Sequence, residues 1–217
     1  MKDIAIFGAG GFGREVACLI RIINESASEP KWNLIGFFDD NPELKGKMIS
    51  HFGKCLGGSE DVNAYKKELS LVMAIGSSIV VRKVVDKIQN PRIDYPNIIH
   101  PSFVKADPAS FKIGVGNIIQ NRCSVSTDVS IGSFNVMNGG ISCGHDVKIS
   151  SFNTIMPGVR ISGEVSIGDD NFFGVGSIIL QQIKIGNHIR LGAGSVLMTK
   201  PKDGNLYMGN PAKKTVF

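Results

Sequence analysis

Two periods run along this chain. Up to about residue 96, short apolar runs alternate with stretches in which apolar side chains recur every three or four positions. Ile4 to Phe7 reads as a strand, Arg14 to Ile23 as a helix whose Val16, Leu19, Ile20 and Ile23 share one face, and Leu34 to Phe38 as a second strand. A short strand near Cys55 and Leu56, a helix with Ser59 as N-cap, a strand over Leu71 to Ile75 and a helix over Ile79 to Ile88 complete the segment. Such alternation predicts an α/β unit around a parallel sheet.

Past Pro101 the period is six. An aliphatic or similar residue recurs without a slip at Ile113, Ile119, Val125, Ile131, Met137, Cys143, Ile149, Ile155, Ile161, Ile167, Phe173, Ile179, Ile185, Leu191 and Leu197. Six residues are too few for a helical unit and too regular for hairpins. They suit one short strand and one turn, with three such units closing a triangular coil. Residues 18 apart then stack about 4.8 Å apart, one inter-strand spacing. The expected organisation is a Rossmann-like nucleotide-binding domain over residues 1–96, followed by a parallel β-helix over residues 97–217 that includes the C-terminal tail.

Between the first strand and the first helix stands "GAGGFGREV", in which Gly8, Gly10 and Gly13 fit G-x-G-x-x-G. Glycines there permit a tight turn and let backbone N–H groups at a helix N-terminus approach phosphate oxygens. Nothing in that chemistry requires nicotinamide. A full dinucleotide fold needs two βαβαβ halves, and fewer than 100 residues leave room for about one. A dehydrogenase is therefore disfavoured. Asp39 and Asp40 follow the second strand, where they serve either as ligands to the sugar or base of a nucleotide or as a polar turn.

Composition narrows the chemistry further. With 42% apolar residues and a net charge of +5, the chain reads as globular and suited to anionic small molecules. No Arg-rich helix or basic and aromatic alternation points to nucleic acid. Arg14, Glu15 and Arg21 interrupt the first apolar stretch, so neither a signal peptide nor a membrane span is expected, and a cytoplasmic location follows. Cys18, Cys55, Cys123 and Cys143 lie far apart with no C-x-x-C pair, which argues against a zinc site or a disulfide framework.

Of the four histidines, His145 stands third in its hexad, a turn position that faces outward, and Asp146 follows it. A histidine beside a carboxylate is suited to act as general base in acyl transfer; a solvated His-Asp turn is the alternative. Register puts Thr127 below His145 and Gly163 above it. Gly163 would leave room for a thioester and offer an N–H to an oxyanion, or it is simply a turn glycine. Cys143 sits at the repeat position, so its thiol is expected inside the prism, which excludes a covalent mechanism through it. Only His145 and His188 lie in the repeats, more than two coils apart, so a three-histidine metal site has no basis and no metal is expected.

The hexapeptide repeats resemble the left-handed β-helix of bacterial acyltransferases. With "IFGAGGFGREV" in front, "FFDDN" after the second strand and "GNPAK" near the end, the whole chain resembles the sialic acid O-acetyltransferase and nucleotide-sugar N-acetyltransferase family, the NeuD/PglD-like hexapeptide-repeat acyltransferases. The resemblance implies a homotrimer that transfers acetyl from acetyl-CoA at sites between neighbouring β-helices. It implies His145 as general base, tuned by Asp146, and acetyl-CoA contacts near Thr154 and Gly163, at Gly174 and Ala193, and at Pro211. Gly10, Gly11, Phe12, Asp39 and Asp40 would hold the nucleotide of the acceptor, a nucleotide-linked deoxyamino sugar used in bacterial surface glycan synthesis. Relatives carry histidine at the positions of Thr154 and Phe12, where this chain departs from them. Arg190 and the tail lysines would meet CoA phosphates. The alternatives are a hydroxyl acceptor, as in O-acetylation of sialic acid or another sugar, and a non-catalytic nucleotide-sugar scaffold.

Overall fold

A strand enclosed in a parallel sheet is apolar on both faces. Ile4, Ala5, Ile6 and Phe7 are all buried, and they lie in β1 (Lys2–Phe7). This computed structural model describes residues 1–215, and contacts divide the chain into a first unit, Met1–Pro101, and a second, Ser102–Phe217. In the first unit β1 is followed by α1 (Gly11–Ser26), β2 (Trp32–Phe38), α2 (Ser59–Asn63), β3 (Leu69–Met73), α3 (Ser78–Lys87) and β4 (Ile93–Asp94). The four strands pair in parallel in the order β2-β1-β3-β4. Val16, Ala17, Leu19 and Ile20 form the buried stripe of α1.

Two glycines of the first loop are demanded by packing. A Cβ on Gly8, whose φ is +115°, would run into the Ala74 carbonyl, and one on Gly13 would run into the carbonyl of Gly8. A side chain at Gly13 would therefore push α1 away from the end of β1, and one at Gly8 would push that end away from the segment after β3.

Two local expectations change. The stretch around Cys55 and Leu56 makes an isolated parallel bridge, Phe37 to Cys55, where a strand was expected. Gly53 and Gly57, at φ +140° and +136°, turn the backbone out of the extended path on either side. The cap of α2 is Gly58, with Ser59 as the first helical residue. The Ser59 hydroxyl donates to Asp40 Oδ1 at 2.7 Å and so does not cap the helix.

In the second unit every repeat residue from Ile113 to Leu197 is the second member of a two-residue strand. Ile113 is half-buried and the remaining ones are buried. The strands stack into three parallel ladders whose partners are 18 apart, as in Ile131 with Ile149, Met137 with Ile155 and Cys143 with Ile161. The ladder through Arg190–Leu191 ends in Leu206–Met208, which pairs antiparallel with Lys213–Thr215. This is the expected parallel β-helix.

Along one corner a column of buried asparagines, Asn117, Asn135, Asn153 and Asn171, joins successive coils. Each Oδ1 accepts the backbone N–H of the next member at 2.9 Å and its side-chain amide at 3.0–3.1 Å, and the column ends where Asn171 Oδ1 accepts the Ile189 N–H at 2.8 Å. Amide groups fully shut away from water must be paired, and here the partners are supplied by the repeat itself. Asn153→Ala would remove the acceptor of both the backbone and the side-chain N–H of Asn171, and one of the two donors to Asn135 Oδ1. It is expected to cost about 1–3 kcal/mol for each group left unpaired, read as a lower urea midpoint with an unchanged slope.

Candidate functional site

His145 occupies the turn between strands Ser142–Cys143 and Lys148–Ile149, and Gly163 the turn one coil later, between Arg160–Ile161 and Ser166–Ile167. The imidazole is turned outward, with its side chain 55% exposed and that of Asp146 56% exposed. Nδ1 lies 2.8 Å from Asp146 Oδ2. An ionised carboxylate only accepts, so this contact places a proton on Nδ1 and leaves Nε2 with its lone pair free.

Backbone bonds to the coils on either side fix this turn. The Asp146 N–H donates to the Thr127 carbonyl at 3.0 Å, and the Glu164 N–H donates to the His145 carbonyl at 2.8 Å. Asp146 itself adopts φ +58°, which asparagine and aspartate tolerate better than most residues. Thr127 lies below and Gly163 above, as the spacing implied. A Cβ built on Gly163 would sit 2.6 Å from His145 Nε2, so the missing side chain is what keeps that nitrogen open. The Gly163 N–H donates to no group among the described residues.

Cys143 is 5% exposed inside the prism, and burial pushes its thiol up to about 12, with Cys123 adding to the effect. A thiolate there is strongly disfavoured.

The other residues that the resemblance linked to acetyl-CoA lie on other turns and faces of the β-helix than His145. Gly174 and Ala193 stack on each other at a different corner, in the turns after Phe172–Phe173 and after Arg190–Leu191. A Cβ on Gly174 would lie 2.5 Å from the Ala193 nitrogen, so packing of the coils accounts for that glycine. Thr154 is half-buried on the face between Val136 and Phe172, and Pro211 is exposed beyond a cis peptide bond with Asn210. Arg190 lies over the ring of Phe172, with its guanidinium 5.1 Å from the centroid. Among the described residues, no three His, Cys, Asp or Glu side chains are grouped to hold a metal, and no helix is long and apolar enough to cross a membrane.

In the first unit, Gly10 caps α1 and is exposed together with Gly11, while Phe12 is half-buried. The first turn of α1 carries no acidic side chain and no side-chain cap, so its N–H groups and the positive end of the helix dipole face outward. Asp39 Oδ2 accepts the Ala9 N–H at 2.9 Å, and Oδ1 accepts the Asn41 N–H at 2.9 Å. Asp40 Oδ1 accepts the backbone and hydroxyl of Ser59, both at 2.7 Å, and Oδ2 stands 3.5 Å from Lys87 Nζ. Burial works to raise the Asp40 pKa, but the Ser59 hydrogen bonds and the Lys87 charge outweigh it and hold the carboxyl below the usual range. Asp39 and Asp40 line a cleft of about 610 Å³ with Lys45, Ser59, Asp61 and Lys87. Lys45 pairs with Asp61 at 2.7 Å.

The cleft residues beyond the two aspartates escaped sequence reasoning, because Ser59 and Asp61 come from α2 and Lys87 from the end of α3, with no spacing that links them to Asp39 and Asp40. The asparagine column had a legible signal, four asparagines 18 apart.

Residues 3–88 match the family model described as the PglD N-terminal domain. Among solved structures, the chain is similar to PerB from Caulobacter crescentus in complex with CoA and GDP-perosamine, with TM-score 0.87 and 25% identity over 100% of this chain and 98% of that one. WeeI from Acinetobacter baumannii AYE is similar at TM-score 0.86 and 25% identity, over 99% of this chain and 100% of that one. The acetyltransferase domain of PglB from Neisseria gonorrhoeae FA1090, in complex with acetyl coenzyme A, shares the fold at TM-score 0.73 and 24% identity over 99% of each chain. No curated protein matches the chain.

Of the four free cysteines, Cys18 is partly exposed and the others are buried. A thiol reagent at pH 8 is therefore expected to modify Cys18 alone within minutes in the native protein. Cys55, Cys123 and Cys143 should react only after unfolding, as counted by absorbance of the released chromophore.

Proposed function

From an N-terminal PglD domain and a β-helix that together have the fold of the NeuD/PglD-like acetyltransferases, we propose that the chain transfers acetyl from acetyl-CoA to the amino group of a nucleotide-linked deoxyamino sugar. The observation that carries this reading is the outward imidazole of His145, hydrogen-bonded to Asp146 on one side and left open by Gly163 on the other. PerB was solved with CoA and a nucleotide-linked sugar together, the pair of ligands this reaction requires.

The step is direct. The acceptor amine attacks the thioester carbon as His145 Nε2 takes its proton, and Asp146 steadies the imidazolium that forms. Negative charge gathers on the carbonyl oxygen, for which the unengaged Gly163 N–H is an available donor. Collapse of the tetrahedral intermediate breaks the carbon–sulfur bond, and the proton passes from Nε2 to the departing CoA sulfur. Cys143, shut inside the prism, takes no part.

Gly10, Gly11 and Phe12 would present N–H groups at the mouth of α1 to the acceptor's phosphates, with Asp39 and Asp40 at the rim of the cleft beside them. Gly163 would meet the acetyl end of the cofactor. Thr154, Gly174, Ala193 and Pro211 would meet the rest, together with Arg190 and the tail lysines.

These positions and the His145 corner lie on different edges of one β-helix. A homotrimer, in which the edge of one chain faces that of the next, would bring them together. Light scattering on the purified protein should then give three times the chain mass. A cytoplasmic enzyme of surface glycan synthesis fits this chemistry, since both acetyl-CoA and nucleotide sugars are cytoplasmic metabolites.

His145→Ala is expected to lower kcat by about 10²–10⁴-fold with acetyl-CoA binding retained, measured by thiol release and calorimetry. Unchanged turnover would overturn the assignment. Gly163→Ala, which pushes on Nε2, should cost about 100-fold in kcat with little change in melting temperature. A screen of UDP-, GDP- and dTDP-linked amino sugars against acetyl-CoA tests the acceptor class. Thiol release only with hydroxyl-bearing acceptors would move the reaction to O-acetylation.

A further inference from the structure

We propose that Asp39 is a positioning residue for the glycine loop and not a ligand of the ribose. This rests on the nucleotide site assigned to the first unit above. In a dinucleotide fold the acid after the second strand receives the ribose hydroxyls, and a two-pronged grip on a diol needs both carboxylate oxygens. Here each oxygen spends one of its lone pairs on a backbone N–H, Oδ2 on that of Ala9 and Oδ1 on that of Asn41, both at 2.9 Å, and these two bonds orient the carboxylate toward the loops rather than toward a ligand. The Asp39 N–H in turn donates to the Gly57 carbonyl at 2.7 Å. One residue thus ties together the glycine loop, the turn after β2 and the approach to α2.

The bond to Ala9 matters most for the ligand. Ala9 is 7% exposed and is followed directly by Gly10 and Gly11, which are open to solvent and have no side chains to hold their orientation. The Gly8 N–H is fixed by the Phe38 carbonyl at 2.7 Å. With Gly8 and Ala9 both anchored to the end of β2, the peptide planes that follow emerge in a set direction, and the N–H groups of the first turn of α1 point where phosphate oxygens would lie. Without the carboxylate, the Ala9 N–H loses its acceptor and the loop its second anchor. The neighbouring Asp40 does the corresponding work on the other side, where it accepts from Ser59 at the start of α2.

The test compares wild type, Asp39→Asn and Asp39→Ala for binding of UDP, GDP and dTDP and of the 2′,3′-dideoxy form of whichever binds best. Asp39→Ala is expected to weaken binding by about tenfold or more, and Asp39→Asn, whose amide oxygen still accepts from Ala9, to recover most of that loss. The ratio of ribo to dideoxy affinity should be the same in all three proteins. In steady-state assays the KM for the acceptor should rise in Asp39→Ala while kcat and the KM for acetyl-CoA stay put. The Ala9 amide resonance should move upfield in Asp39→Ala and hold its place in Asp39→Asn.

A ratio that collapses toward one in both variants would make Asp39 a ribose ligand and overturn the proposal, as would wild-type affinity in Asp39→Ala. Both outcomes leave the nucleotide site itself standing. A wild-type protein that binds none of the three diphosphates would overturn that site and this proposal with it.

Discussion

The second unit depends on one constraint, the backbone hydrogen bonds that tie each strand to the residue 18 positions away. No strand there is long enough to be stable alone, and a two-residue strand has meaning only as a rung in a ladder. Once the rungs are in register, the apolar residue of every hexad falls inside and the turn residues fall outside. The outward placement of His145 is a consequence of where Cys143 must go. Its carbonyl and the N–H of Asp146 are then held by the coils above and below, so the imidazole begins from a fixed backbone. A side chain on an exposed corner can be held accurately because the accuracy comes from the stack.

The two units place chemistry by different means. In the β-helix, position in the repeat decides which side chains meet. In the α/β unit, carboxylates do it: Asp39, Asp40 and Asp61 each accept backbone N–H groups from loops at the same edge of the sheet. Such bonds are made with charged acceptors, which are stronger than neutral ones, and two of them, Ala9 to Asp39 and Ser59 to Asp40, join segments 30 and 19 residues apart. The edge is held together by acids, and the exposed start of α1 is left to backbone N–H groups.

How much of this could be read in advance follows from the same distinction. The six-residue period located one residue of every β-helix strand from Ile113 to Leu197, because a periodic structure writes its geometry into spacing alone. It also put Gly163 over His145 and Cys143 inside. In the first unit, spacing located the glycine loop and the main strands, but missed that Ser59 bonds to Asp40 instead of capping α2 and that Gly53 and Gly57 break the strand expected near Cys55. Those outcomes are settled by tertiary partners, which leave no periodic trace. That Gly174 and Ala193 lie on another edge of the prism from His145 went unread, although they sit in turns of a different ladder.

The uniform coil has a further consequence. Each turn of the prism touches only the turns on either side, so the contacts His145 makes within its own chain end at the coils that hold Thr127 and Gly163. Whole turns inserted or deleted beyond those coils would conserve these contacts while sliding the terminal hairpin up or down the axis. The length of the solenoid is thus a ruler graduated in steps of eighteen residues, free to vary in descendants of this sequence without disturbing the corner where the imidazole stands.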